Sequence, residues 1–202
     1  MDYSKIKIKP LSNQQIREAA DRVRAEFWGD KTPVDIENIL EVKLKIYVIP
    51  ILGLRQQISF DSFISSDWKN VYVDNESYMS DNYYRRIRFS LAHELGHRFL
   101  HKELFESLEI KSFEDYYRFY NEIPNDQYRF LEDQANKFAG YLLIPYEIME
   151  KHRDKLLVEA RKKLIGTHLE DNMDIDLSGV IAGDMADMFD VSIQAMKIAL
   201  KS

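Results

Sequence analysis

The stretch FSLAHELGHRFLH, residues 89–101, contains three of the five histidines in the chain. His93, His97 and His101 follow one another at intervals of four residues, so a helix of about 3.6 residues per turn places them along one narrow face. Apolar residues, among them Leu91, occupy the side of this helix that would face a core. The stretch therefore predicts an amphipathic helix whose histidines border the core.

The first two histidines have the spacing of a metal site. Imidazoles at positions i and i+4 of a helix lie side by side, as one zinc ion requires. Glu94 is rotated about 100° from His93, so it can reach a water on the metal more easily than the metal itself. In H-E-x-x-H hydrolases the metal acidifies that water and the glutamate takes its proton. The pattern favours His93 and His97 as ligands and Glu94 as the base over three merely structural side chains.

A catalytic zinc ion needs a third protein ligand. His101 lies two turns, roughly 12 Å, beyond the first histidine, so we expect it to support the site or pack in the core. Glu132, in the segment EDQANKFAGYLLIP, is the better candidate because small residues share its helix face. Gly96 likewise leaves room on the surface of the histidine helix for a neighbouring helix. A glycine inside a helix costs about 1 kcal/mol relative to alanine, which indicates that close packing requires it here. We expect the two helices to press together and bring Glu132 to the metal.

Other residues stay open at this point. Asp133 and Glu106 are alternative acidic ligands. Developing negative charge in a transition state would also need a hydrogen-bond donor, and the chain has twelve tyrosines. Tyr128, one turn before Glu132, fits a catalytic role and a core role equally well.

Composition and charge narrow the classes of protein. The chain has no cysteine, which excludes a disulfide scaffold and a thiolate metal site. Its first residues, MDYSKIKIKP, have no apolar stretch typical of a signal peptide, and the longest apolar run, IYVIPILGL, is far too short to cross a bilayer. We therefore expect a cytoplasmic protein with no membrane partner. A net charge of −6 argues against direct binding to nucleic acid.

The C-terminal region has the spacing of a helix-turn-helix, in the segment GDMADMFDVSIQAMKIAL. Three aspartates, at positions 184, 187 and 190, would repel phosphates, and its last helix carries only Lys197 and Lys201. We expect these helices to pack against the rest of the protein or against a partner protein.

Hydrophobic periodicity, caps and turns give a coarse order of elements. A segment rich in tyrosine, 112–126, is expected to be irregular. The remaining expected elements are a helix over 12–28 capped by Ser12, a short helix capped by Thr32 with Pro33 at its first position, a strand over 43–50, a hairpin of 59–66 with 69–75, helices over 82–104, 127–145 and 146–165, and two helices over 177–200, the last capped by Ser192.

The two central motifs resemble a known family. RRIRFSLAHELGHRFLH, residues 85–101, and EDQANKFAGYLLIP, residues 132–145, resemble the ImmA/IrrE family of metallo-endopeptidases. The segment MFDVSIQAMKIAL near the C-terminus is similar to that family's last element. Ser90 stands where threonine is common and Asp190 where glycine is usual.

The resemblance implies roles for particular residues. His93, His97 and Glu132 would be zinc ligands, and Glu94 would be the catalytic base. It also implies regulated intracellular proteolysis of a helix-turn-helix repressor of the Xre type or of an antitoxin, in systems that control transcription, mobile elements or toxin–antitoxin pairs. The alternative is a non-catalytic metal-binding regulator that sequesters such a repressor.

These observations together predict an α+β fold. We expect a helix-rich, zincin-like core with a small three-stranded sheet and a metal site between the H-E-x-x-H helix and a following helix. Residues 1–150 would form the metallopeptidase core, and residues 151–202 a helical extension packed on it. The segments 102–129 and 151–176 are longer than the family core needs.

Overall fold

Helices around a small mixed sheet make up the fold, and the computed structural model describes residues 2–58, 60–164 and 177–201. The strands are β1 Tyr47–Ile51, β2 Ser62–Ile64 and β3 Asn70–Asp74. The helices are α1 Asn13–Phe27, α2 Leu54–Ile58, α3 Asn75–Tyr78, α4 Tyr84–Leu100, α5 Lys102–Leu108, α6 Phe113–Glu122, α7 Asn125–Leu143, α8 Tyr146–Leu164, α9 Ser178–Phe189 and α10 Ile193–Ala199. The predicted helix-rich α+β class with a three-stranded sheet is confirmed.

The sheet has the order β1-β3-β2. β2 and β3 form the predicted hairpin, with Phe63 opposite Tyr72, and β1 runs parallel to β3, with Val48 opposite Val71. Strand β2 is fully buried because it lies against α4 as well as beside β3. An edge strand of the sheet therefore runs along the histidine helix.

Helices α4 and α7 approach each other closely at a glycine, as the sequence predicts. A Cβ built on Gly96 would lie 3.0 Å from the Cα of Ala135 and 3.2 Å from its carbonyl oxygen. Ala92, one turn earlier on α4, and Ala139, one turn later on α7, are both fully buried. The two backbones can meet because small residues occupy the contact, and this sets how far the side chains of one helix reach toward the other.

Two helices begin at the capping side chains that the sequence predicts. Ser12 accepts a hydrogen bond from the backbone of Gln15, whose side chain accepts one from the Ser12 backbone, which completes a capping box. Ser192 caps α10 by accepting from the backbone N–H of Ala195. Both predicted caps are confirmed.

The predicted helix start at Thr32 and Pro33 is wrong. Helical structure begins at residue 36 and continues as a π-helix over Asn38–Lys43. The side chain of Asp35 accepts a hydrogen bond from the backbone N–H of Asn38. Asp35 therefore caps this helical segment, and Thr32 lies too far from that N–H group to do so. The following strand is also shorter than predicted, because it begins at Tyr47.

The expectation of an irregular segment at 112–126 is wrong as well. Ser112 and Asp115 form a capping box at the start of α6. Tyr116 and Phe119 are buried on one face of that helix. The polar residues of the segment lie on the opposite face, and for this reason its composition suggested irregular structure.

The helix predicted over 82–104 is divided in two. Helix α4 ends at Leu100, and α5 starts at Lys102. Between them His101 has φ −123° and ψ 23°, which is outside the helical region. Residues 165–176, which include the predicted end of the 146–165 helix and nearly half of the segment 151–176, lie outside the described residues.

The C-terminal helices contact α4 through two arginines. Arg88 is buried and donates to the backbone carbonyls of Val34 and Asp190, at 2.9 and 3.1 Å. Arg85 forms ion pairs with Asp187 at 2.6 Å and with Asp190 at 3.2 Å. Two of the three aspartates near the helix-turn-helix-like segment therefore face arginines of this chain.

Membrane-spanning structure is absent from the described ranges, since no helix there combines the length and apolarity that crossing a bilayer requires.

Replacing Gly96 with alanine should destabilise the protein, because the new methyl group meets the α7 backbone at Ala135. We expect a loss of about 1–3 kcal/mol in the free energy of unfolding, measured by chemical denaturation. Gly140→Ala is the matched control, since nothing lies within 4 Å of its added Cβ and helix propensity favours alanine by about 1 kcal/mol. Equal stability of the two variants would contradict the close approach.

Candidate metal centre

Three potential metal ligands converge where α4 meets α7. His93 and His97 come from successive turns of α4, and Glu132 comes from α7. The Nε2 atoms of the two histidines are 3.0 Å apart. The carboxylate of Glu132 lies 3.2 Å from the Nε2 of His93 and 3.5 Å from that of His97. One ligand atom from each of the three residues thus lies within 4.8 Å of the others.

These separations fit a metal ion. Zinc binds nitrogen and oxygen donors at about 2.0–2.2 Å, which places the donors of a tetrahedral site about 3.3 Å from one another. Two imidazole nitrogens and a carboxylate also form a common donor set of catalytic zinc. Lone pairs on three such atoms repel one another unless a proton or a cation lies between them. The donor set and its spacing are therefore consistent with a divalent metal.

Each histidine is held at the ring nitrogen that faces away from the cluster. The Nδ1 of His93 lies 2.9 Å from Oδ1 of Asn136, one turn after Glu132 on α7. The Nδ1 of His97 lies 3.2 Å from Nδ1 of His101. Hydrogen bonds at Nδ1 leave Nε2 of both rings directed into the cluster, an arrangement typical of metal-binding histidines.

Glu94 lies beside the cluster and is not one of the three converging residues. Its side chain is almost fully buried, and Ser62 of β2 donates a hydrogen bond of 2.7 Å to its carboxylate. Glu94, His93 and Glu132 all line one cleft of about 260 Å³. The carboxylate therefore faces the same space as two of the potential ligands.

The environment shifts the pKa values of these groups in different directions. Burial raises the pKa of Glu94 to about 7, against the opposing effects of His93 and the Ser62 hydrogen bond. Burial by itself would lower the pKa of His93, but the Glu132 carboxylate outweighs it and the pKa rises to about 9. Burial and the neighbouring His93 and His101 hold the pKa of His97 well below its usual value. These shifts favour a proton on His93 when no metal is bound.

The alternative acidic ligands lie outside the cluster. Asp133 is 61% exposed and pairs with Lys137 at 2.8 Å. Glu106 accepts a hydrogen bond from the indole of Trp68 and also lies near Lys102. Of the three carboxylates considered from the sequence, Glu132 is the one that the fold brings to the histidines.

The tyrosine that lines this cleft is Tyr116, whereas the sequence suggested Tyr128. The hydroxyl of Tyr128 lies 3.2 Å from that of Tyr116 on α6. Tyr116 is buried and lines the cleft together with Glu94 and Glu132. The sequence did not single out Tyr116 because it lies in the segment expected to be irregular; the capping pattern at Ser112 was the signal that could have placed it on a helix.

Two further polar contacts were also missed. Ser62 reaches Glu94 across 32 residues of sequence, and no local pattern marks it. Gln134, buried on α7, contacts His101 at 3.1 Å. Its position two residues after Glu132 would have placed it on another face of the helix than the ligand.

Fold and cluster together define a helix-rich protein with a His–His–Glu group consistent with a metal site. A family profile described as the IrrE N-terminal-like domain, Peptidase_M78, matches residues 80–201, and the chain belongs to this family. The match includes α4, α7 and the C-terminal helices, so it contains all three converging residues.

Among solved structures, one that is similar is a transcriptional regulator of Mycobacterium tuberculosis, with a TM-score of 0.52 and 16% sequence identity. The similarity covers 91% of this chain but 45% of that one, so this chain spans less than half of its length. At this identity the comparison shows a shared fold. No curated protein matches the chain.

Metal binding should release a proton near neutral pH. Metal ligands must be deprotonated, and the pKa of His93 without metal is about 9. We expect about one proton released from His93 at pH 7, and an apparent affinity that rises about tenfold per pH unit until pH 9. Calorimetry in buffers of different ionisation enthalpy measures the proton count. Glu94→Gln removes the second group that titrates near neutrality, and binding without proton release in that variant would contradict the arrangement.

Proposed function

We propose that the protein is a zinc-dependent endopeptidase that cleaves a cognate regulatory protein inside the cell. His93, His97 and Glu132 would hold the zinc ion, and Glu94 would act as general base. The observation that carries the proposal is the buried Glu94 carboxylate in the same cleft as two of the potential ligands, His93 and Glu132. A purely structural zinc site has four protein ligands and no access to substrate. Here the described residues supply three converging donors and a cleft beside them.

The properties of Glu94 suit proton transfer. A bound zinc ion would acidify a water molecule and polarise the peptide carbonyl. Glu94 would accept a proton from that water and deliver it to the departing amide nitrogen. With a pKa of about 7, the carboxyl can both take up and release a proton near neutral pH. The hydrogen bond from Ser62 to Oε1 holds the carboxylate in place.

Zinc is proposed as the metal because of the donors. Imidazole with carboxylate suits zinc, whereas magnesium and calcium favour sites made of oxygen atoms. The chain offers no thiolate to compete for a soft metal. The family to which the chain belongs is described as a peptidase family, which supports the same choice.

The proposed substrate is a helix-turn-helix repressor or an antitoxin in the cytoplasm, with consequences for transcription. The family and the similar fold of a protein named as a transcriptional regulator support this choice. We propose no direct contact with nucleic acid, since the chain has a net charge of −6 and its C-terminal helices offer few cations to contact phosphates.

The proposed organisation is a metallopeptidase core over 1–150 and a helical extension over 151–202. The contacts of Arg85 and Arg88 with the α9–α10 region support packing of the extension on the helix that carries the histidines.

Replacing Glu94 with glutamine should abolish cleavage and leave metal binding intact. The amide has nearly the same shape but cannot accept the proton, so we expect the rate to fall by at least about 10²–10⁴-fold. Cleavage of purified helix-turn-helix repressors is followed by mass spectrometry, and zinc content by elemental analysis. Glu103→Gln, at an exposed carboxylate on α5, is the control and should keep full activity.

Cleavage retained by Glu94→Gln contradicts the assigned base. If the wild-type chain at full zinc occupancy binds a repressor tightly and leaves it intact, the protein is the sequestering regulator instead.

A further inference from the structure

His97 lies at the end of a chain of hydrogen bonds that begins in the N-terminal segment. Gln134 on α7 donates from Nε2 to the backbone carbonyl of Lys9, at 3.1 Å. Its Oε1 lies 3.1 Å from Nε2 of His101. The Nδ1 of His101 lies 3.2 Å from Nδ1 of His97. His97, His101 and Gln134 are all buried, so water does not readily replace these contacts.

The backbone carbonyl of Lys9 determines which group donates and which accepts in every hydrogen bond of this series. A backbone carbonyl can only accept, so the NH₂ group of Gln134 must face Lys9 and its oxygen must face His101. That oxygen accepts the N–H at Nε2 of His101. In a neutral imidazole only one nitrogen carries a proton, so Nδ1 of His101 is an acceptor and receives the N–H at Nδ1 of His97. The lone pair of His97 is thereby placed on Nε2, the atom that faces Glu132.

Packing alone does not make this choice. The ring of His97 stacks on Phe105, with centroids 4.8 Å apart and planes at 30°. Stacking restrains the plane of the ring, but a planar contact is nearly the same for either tautomer and for a ring rotated by 180°. Only a directional hydrogen bond distinguishes Nδ1 from Nε2.

We propose that His101, Gln134 and the Lys9 carbonyl are a positioning system that locks His97 in the tautomer able to bind metal. The hydrogen-bonded series from Lys9 through Gln134 and His101 to His97 is the His97 chain. The third histidine of the helix thus serves the metal as a neutral acceptor and does not bind it. The N-terminal segment, 125 residues away from Gln134 in sequence, becomes a part of the metal site's support. The inference rests on the zinc site proposed above.

Variants at His101 test the acceptor. His101→Leu removes it, and we expect the affinity of the full-length chain for Zn²⁺ alone to fall by about 10–100-fold, measured by competition with a chelator. His101→Asn places an amide oxygen near the position of Nδ1 and should restore affinity to within a few-fold of wild type. Both variants remove the imidazole, so a merely structural role would not separate them.

Variants on α7 test the end of the His97 chain that lies farthest from His97. Gln134→Leu cuts the chain, and we expect a loss similar to that of His101→Leu. Gln127→Leu is the matched control: Gln127 anchors the same N-terminal segment by accepting from the backbone N–H of Ile8, at 2.8 Å. It should leave zinc affinity unchanged. This pair also decides the proposal if His101→Leu does not fold.

Nitrogen-15 spectra of the metal-free chain give a direct readout of the tautomer, since zinc bound at Nε2 would itself place the proton on Nδ1. We expect a slowly exchanging Nδ1 proton on His97 in the wild type and in His101→Asn, and its loss in Gln134→Leu.

The outcomes separate the two proposals. A wild-type chain that binds no zinc refutes the metal site. A wild-type chain that binds zinc, with His101→Leu or Gln134→Leu binding equally well, refutes the His97 chain alone. Equal loss in Gln127→Leu and Gln134→Leu also overturns it, because general loosening of the N-terminal segment would then explain both.

Discussion

The close approach of α4 and α7 at Gly96 and Ala135 brings His93, His97 and Glu132 together. Packed helices lie about 8–10 Å apart, and the distance depends on the side chains at the contact, so small residues bring two backbones closest. Here the small residues let the Glu132 carboxylate come within 3.2 Å of His93. The same contact brings Asn136 to the other side of that histidine. A packing constraint is therefore also the condition for the convergence of the two histidines and Glu132.

Features encoded over a few residues could be predicted from the sequence. The stacked histidines, the caps at Ser12 and Ser192 and the glycine contact each depend on neighbours within one helix or on residue size, and the structure contains them all. The α6 helix was missed because the polar side chains of its exposed face make the whole segment look irregular. The start at Thr32 was wrong because Asp35, a second good cap, lies nearer to the helix.

The surroundings of the cluster could not be predicted, because they depend on contacts between distant parts of the chain. Ser62 meets Glu94 only because the edge strand β2 lies against α4. Gln134 meets Lys9 only because the N-terminal segment crosses α7. Sequence periodicity describes one element at a time and gives no information on which side chains meet between elements. The three converging residues were thus more accessible to prediction than the groups that orient them.

Anomalous diffraction at the zinc absorption edge, from crystals of the zinc-loaded chain, tests the central claim most directly. The account predicts one strong peak per chain, about 2.0–2.2 Å from Nε2 of His93, Nε2 of His97 and a carboxylate oxygen of Glu132. A peak coordinated by other residues, or those three side chains turned away from one another with no peak between them, would contradict it.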